Sequence, residues 1–316
     1  MIELLTPHLP LIAYVLVLLF VVLYATLSSI EFGVAALMAL PRPPISRAEI
    51  DRYFGPMWES TNVFLIFSMV GLVMFFPEVV LRLADLYALV STALIFFVVR
   101  IIGIFGVFYA RSEAYAFRLL FAMGSLLAPL TLSGVFYYAL TGMGPGFPPS
   151  TLAWSLWFSV LGAIFMLSTA FAARYAAQAA HETLARIGIA GTGLFLIGAA
   201  GILSFHPARE TGSLDAALFI ALLVLAGAAL RLRERERPLL SFLAHAISVA
   251  ILIYGTALAH LPYLLYPYLT LSDGFTAPAM FLVMLQMVPF GLLIAVPSLA
   301  FAWHLFARAA IRPADL

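Results

Sequence analysis

Cysteine and lysine are absent from this 316-residue chain, and only 10% of its residues are charged. A soluble domain carries roughly a quarter charged residues. The shortfall excludes a globular cytosolic enzyme, a nucleic-acid binder and a disordered chain. Without cysteine there are no disulfides, iron–sulfur clusters, thiolate-ligated haem or Cys-ligated zinc. Any redox cofactor must be held by His or Met, or lie in a partner. The His-Glu-x-x-His, P-loop, Rossmann and Gly-x-Ser-x-Gly signatures are missing as well, so hydrolytic and nucleotide-driven chemistry has no support. The first residues carry no basic run and no small-residue cleavage site, so the first apolar run is expected to be a mature span and not a cleaved signal.

What is present is apolar. Hydrophobic residues make up 64% of the chain, and mean hydropathy is +1.09. The apolar residues run over the whole length, which predicts one polytopic membrane domain over 1–316. Windows of about 20 apolar residues are long enough to span a bilayer as helices. Nine occur: Leu11–Leu37, Val63–Val80, Leu86–Tyr109, Leu119–Leu140, Leu152–Ala172, Ile187–Phe205, Leu214–Leu230, Leu239–Leu261 and Met280–Ala307. Gly- and Pro-rich gaps punctuate them at 41–44 and 142–149, and an Arg-rich gap at 231–238. The aromatic stretch between His260 and Pro278 is expected to lie at the membrane interface, where amphipathic rings prefer to sit.

Nine spans place the termini on opposite sides, and the arginines orient them. Thirteen of the sixteen fall on one side: Arg42, Arg47, Arg52, Arg111, Arg118, Arg174, Arg186, Arg231, Arg233, Arg235, Arg237, Arg308 and Arg312. Arg82 and Arg209 fall on the other, and Arg100 lies inside a span. The positive-inside rule then puts the N-terminus outside and the C-terminus in the cytoplasm.

Ionisable groups inside a span cost a few kcal/mol each, so each asks for a reason. Glu31 lies about 30 Å along the first span, with Ser28 one turn before it. Glu59 lies where the second span begins, with Asn62 on its face. The two carboxylates are expected at similar depth near the cytoplasmic boundary, an arrangement suited to proton loading. A Glu that favours the helix dipole or snorkels to water would serve structure alone. Arg100 is expected about 15 Å from the inner end of the third span, near mid-membrane. It keeps its charge, so it needs an anion: one of the glutamates, or a carboxylate or haem propionate of a partner. The six histidines, His8, His181, His206, His245, His260 and His304, show no spacing that places two on facing helices at matched depth, so no metal site is expected.

At these residues the chain resembles subunit II of the cytochrome bd-type quinol oxidases. The family's first span ends in Gly-Phe-Asp-x-Gly-Val-Gly, matched by Ser29-Ile30-Glu31-Phe32-Gly33-Val34-Ala35. Its second begins Pro-x-Trp-Asp-Gly-Asn-Glu/Gln-Val-Trp-Leu, matched by Pro56-Met57-Trp58-Glu59-Ser60-Thr61-Asn62-Val63-Phe64-Leu65, with Phe76-Pro77 at its end. A third-span arginine corresponds to Arg100. Tyr266-Pro267-Tyr268-Leu269, the following Ser-Asp-Gly, and Gln286, Pro289 and Pro297 follow the closing pattern. Both acids depart from Asp to Glu, and Gly-Asn becomes Ser60-Thr61.

The resemblance implies two four-helix bundles plus one extra helix, in the prokaryotic cell membrane. It implies a subunit with no catalytic residue and no metal or haem of its own, packed on a haem-bearing subunit I. The partner's haems are of b type, with d type left open; so are ubiquinol or menaquinol, small accessory subunits, and a lipid or structural quinone on this chain. Glu31 and Glu59 would deliver cytoplasmic protons, supported by Ser28, Trp58, Asn62 and Arg100. A proton-coupled secondary transporter is the alternative. Against it, no corresponding pair of Gly/Pro-interrupted spans marks a midplane site.

Overall fold

The computed structural model describes residues 8–51, 53–144, 149–205, 212–287, 289–291, 293 and 297. Helix dominates because backbone groups in lipid must be satisfied within the segment. The elements are α1 (Leu9–Met38), α2 (Arg47–Asp51), α3 (Phe54–Phe75), α4 (Pro77–Leu83), α5 (Tyr87–Ile104), α6 (Tyr115–Thr141), α7 (Thr151–Ala172), α8 (His181–Ser204), α9 (Ser213–Glu234) and α10 (Pro238–Ala259). A π-helical turn, Phe105–Tyr109, continues α5. Short antiparallel strands β1 (Tyr263–Leu265) and β2 (Leu269–Thr270) follow α10.

Among the described residues eight helical stretches are long and apolar enough to cross a membrane. They match the first eight expected windows in order, with shifted ends. The second begins earlier, since α3 starts at Phe54, and it stops at Phe75, where Phe76 leaves helical geometry and Pro77 starts α4. Charged residues do not end α9: Arg231 and Arg233 form its last turn, where cations suit the helix dipole. Of the ninth expected window, Met280–Ala307, the described part is a shorter apolar helix, Pro278–Gly291; the remainder lies largely outside the described residues.

Successive long helices pack as neighbours: α1 with α3, α5 with α6, α7 with α8 and α9 with α10. Cross-packing of α1 on α6 and α7, and of α7 on α10, joins these pairs. Small residues set the closest approaches, as membrane helix pairs require. A Cβ at Gly124 of α6 would come within 2.4 Å of the Arg100 backbone nitrogen on α5. One at Gly103 of α5 would come within 2.3 Å of the Phe121 nitrogen on α6.

The two ends of the molecule are distinct. At one, the connections carrying Arg47, Arg111, Arg174 and Arg237 meet. Glu49 accepts from the Ala177 amide (2.8 Å) and the Ser46 amide (2.6 Å), and the Tyr115 hydroxyl donates to the Ala39 carbonyl (3.2 Å). Phe54 stacks on Phe108 with ring centres 4.2 Å apart. At the other, Leu9, Phe75, Phe76, Tyr138, Leu264, Leu265 and Phe281 form a separate apolar cluster. The aromatic connection after α10 folds onto α6 there. The Ala139 carbonyl accepts from the Tyr266 amide (3.0 Å) and lies 3.1 Å from His260 Nε2.

Candidate functional site

Three helices bring one buried polar cluster together. Glu31 lies on α1, seven residues before Met38; Thr61 lies on α3, seven after Phe54; Arg100 lies on α5, four before Ile104. All three are buried, at 1%, 4% and 5% exposure. Glu31 and Thr61 therefore sit about two turns inside the arginine-rich ends of their helices, and Arg100 nine residues before the end of the π-helical turn that continues α5. One Arg100 Nη donates to Glu31 Oε2, closing a salt bridge, and the Thr61 hydroxyl meets Oε1. Thr61 Oγ1 is also 2.9 Å from the Met57 carbonyl. The guanidinium lies over the Phe32 ring, 5.1 Å from its centre, a cation–π contact that offsets part of its lost hydration.

The local sequence explains the assembly. Glu31 and Phe32 are adjacent on α1 and flank the guanidinium, one by charge and one by ring quadrupole. Gly33 follows, and a Cβ there would collide with Ser168 of α7, so α1 can sit tight against α7 beside the acid. Gly124 does the same for α6 against the Arg100 backbone. The counter-ion that Arg100 requires is thus an intrachain one, Glu31.

The other expected residues are placed differently. Glu59 and Asn62 are exposed on α3, on the face continued by Ile66, Met69, Val70 and Val73, whose side chains are also exposed. Thr61, two residues on from Glu59, points the other way, as roughly 100° per residue demands. The two carboxylates are on neighbouring helices but do not face one another. Trp58 is partly buried against the main core. Ser28 is buried, and its hydroxyl reaches the Ala25 carbonyl (3.4 Å) instead of Glu31. Thr61 has no part in the sequence reading beyond its motif. The signal was its position on the face of α3 opposite Glu59 and Asn62.

No group of three or more His, Cys, Asp or Glu side chains able to hold a metal ion occurs among the described residues. His181 Nε2 lies 3.3 Å from the Ala176 carbonyl, and His245 is buried in α10. His8 is exposed; His206 and His304 lie outside the described residues. Outside the spans, burial raises the Asp51 carboxyl above the usual range, against the pull of Arg47 and Arg111.

Eight membrane-length apolar helices, a sealed acid–arginine pair and no metal cluster, all among the described residues, define a class: a polytopic membrane protein organised around buried charge. The comparisons narrow it. The sequence profile of cytochrome bd terminal oxidase subunit II matches residues 9–306, and the chain belongs to that family. A relative from Bacillus subtilis (strain 168), described as a putative cytochrome bd menaquinol oxidase subunit II, is 26% identical, with 92% of this chain and 93% of the relative covered. The solved structure of bd oxidase from Geobacillus thermodenitrificans contains a chain that superposes with a TM-score of 0.81 at 27% identity, covering 95% of this chain and 98% of that one. The protein is accordingly a multi-pass component of the prokaryotic plasma membrane and of a terminal oxidase. Family membership sets the transporter alternative aside.

Proposed function

We propose that this chain is the haem-free subunit II of a bd-type quinol:oxygen oxidoreductase, that it stabilises the haem-bearing subunit I, and that it conducts protons from the cytoplasm. The buried Glu31–Arg100–Thr61 cluster carries the reading: a family member has placed an acid inside its helices and supplied it with both a cation and a hydroxyl. In this reading the chain has nine spans in two four-helix bundles plus an extra helix, with the arginine-rich end cytoplasmic.

Glu59 is the entry group. A glutamate and an asparagine on an exposed helix face fit lipid poorly, because each would be costly in hydrocarbon. That face of α3 is therefore assigned to subunit I, with Glu59 and Asn62 at the seam and Ile66, Met69, Val70 and Val73 packing below. Protons taken up at Glu59 pass inward at the level of Glu31 toward the oxygen-reducing haem, which belongs to the partner. The chain's own residues bind and hand on protons; the partner's cofactors supply the electron chemistry. The Bacillus subtilis relative makes menaquinol the first substrate to test. Small accessory subunits and a bound lipid or structural quinone are compatible additions.

The test is Glu59→Gln in the purified complex. Quinol oxidase turnover falls while the haem spectrum stays intact. Unchanged turnover removes Glu59 from the pathway.

A further inference from the structure

We infer that Thr61 is the positioning residue that lets Glu31 exist in both protonation states, by turning a single hydroxyl hydrogen between two acceptors. The inference rests on the reading that Glu31 carries protons. Thr61 Oγ1 touches both Glu31 Oε1 and the Met57 carbonyl oxygen, 2.9 Å away. A hydroxyl has one hydrogen and two lone pairs, so it cannot donate fully to both.

The accounting resolves into two complete arrangements. With Glu31 ionised, the Thr61 hydrogen points at Oε1, and Arg100 donates to Oε2. When a hydronium ion delivers a proton to Oε1 and leaves as water, the new acid O–H donates to Thr61 Oγ1, and the hydroxyl hydrogen turns to the Met57 carbonyl. Arg100 still donates to Oε2, now a neutral carbonyl oxygen, and keeps Phe32 beneath its guanidinium. In each state Oε1, Oε2 and the Thr61 hydroxyl are all paired, so the carboxyl corner leaves none of its own oxygens without a partner, which would be costly; Arg100 Nε, buried with no hydrogen-bond partner among the described residues, takes no part in the exchange. Release reverses the steps.

The surroundings leave this hydroxyl as the adjustable part. From α1, Tyr24 lies within electrostatic range of Glu31. From α5 comes Arg100. On α6 the charged side chain is Arg118, at the helix start, and α7 carries none. Valine at 61 would keep the shape and delete both roles of the hydroxyl.

The experiment is infrared difference spectroscopy of the purified oxidase complex across a pH step, with turnover measured on the same samples. Glu31→Gln identifies the Glu31 carboxylic-acid C=O band by its loss. Thr61→Val is expected to move that band to higher frequency and lower turnover about tenfold, the worth of one hydrogen bond in a buried site; Thr61→Ser restores both. If Glu31→Gln removes no band, the proton-carrier reading of Glu31 fails and the inference with it. If the band is assigned and Thr61→Val leaves its position and turnover unchanged, the inference alone is overturned.

Discussion

Removing Arg100 while keeping Glu31 should damage the protein far more than removing both charges. Glu31 is 1% exposed and Arg100 5%, so neither charge is stabilised by bulk water. In Arg100→Met the methionine fills the stem volume but leaves a carboxylate whose one remaining side-chain donor is Thr61. Breaking a buried pair in this way costs about 3–5 kcal/mol, roughly two to three and a half powers of ten in the folding equilibrium. Loss of the cation–π contact with Phe32 adds about 1 kcal/mol. In Glu31→Gln/Arg100→Met no charge is buried, and the amide still meets the Thr61 hydroxyl. Neutral replacement of a whole buried pair is often free of cost, so the double variant should recover at least about 2 kcal/mol of the single variant's loss. The assay is denaturant titration of the complex in mild detergent, followed by tryptophan fluorescence, with all four members of the cycle measured. Additive losses, with the double variant as unstable as the sum, would refute the ion pair as the organising contact.

Four further outcomes are expected. Gly124→Ala places a methyl within 2.4 Å of the Arg100 nitrogen; separating α5 from α6 to admit it should cost about 1–3 kcal/mol, read as a lowered melting temperature and a loosened Arg100. Glu31→Asp alone should lower turnover by opening a gap to Thr61, and adding Thr61→Asn, whose polar atoms lie one bond further from the backbone, should recover it; a double variant no better than the single would contradict the Glu31–Thr61 contact as the reason. Because burial raises the folded Asp51 carboxyl above its unfolded value, its contribution is present below the unfolded value, about pH 4, and is lost as pH rises through the folded one. Asp51→Asn should therefore flatten the stability profile just above that range, as melting curves at several pH values would show. His260→Ala removes the ring 3.1 Å from the Ala139 carbonyl and should cost about 1 kcal/mol, with faster proteolysis of the β1–β2 connection than in the parent.

Much of the architecture was legible because the bilayer imposes so few solutions. Eight apolar windows appear as helices in the expected order, and the arginine tally anticipated that Arg47, Arg111, Arg174 and Arg237 would gather at one end. Helix ends were less legible. Phe54–Gly55 begins α3 ahead of the apolar window, and Pro77 breaks the run that hydropathy alone continues to Val80. Glu31 and Arg100 stood out individually by their cost in lipid, and the need for a counter-ion followed from charge. That each answers the other depends on Gly33 letting α1 sit against α7 and Gly124 letting α6 sit against α5, a packing fact across four helices that no single-helix pattern encodes. Thr61 was hidden because a threonine at a helix start is common, and only the facing helix gives its hydroxyl a task. Glu59 was equally visible in the motif, yet its outward direction came only with the register of α3.

The most direct test of the account is a mild-detergent pull-down of the tagged chain, with a reduced-minus-oxidised optical spectrum of what accompanies it. The account predicts a second large subunit carrying haem bands. A solitary, colourless chain would contradict it.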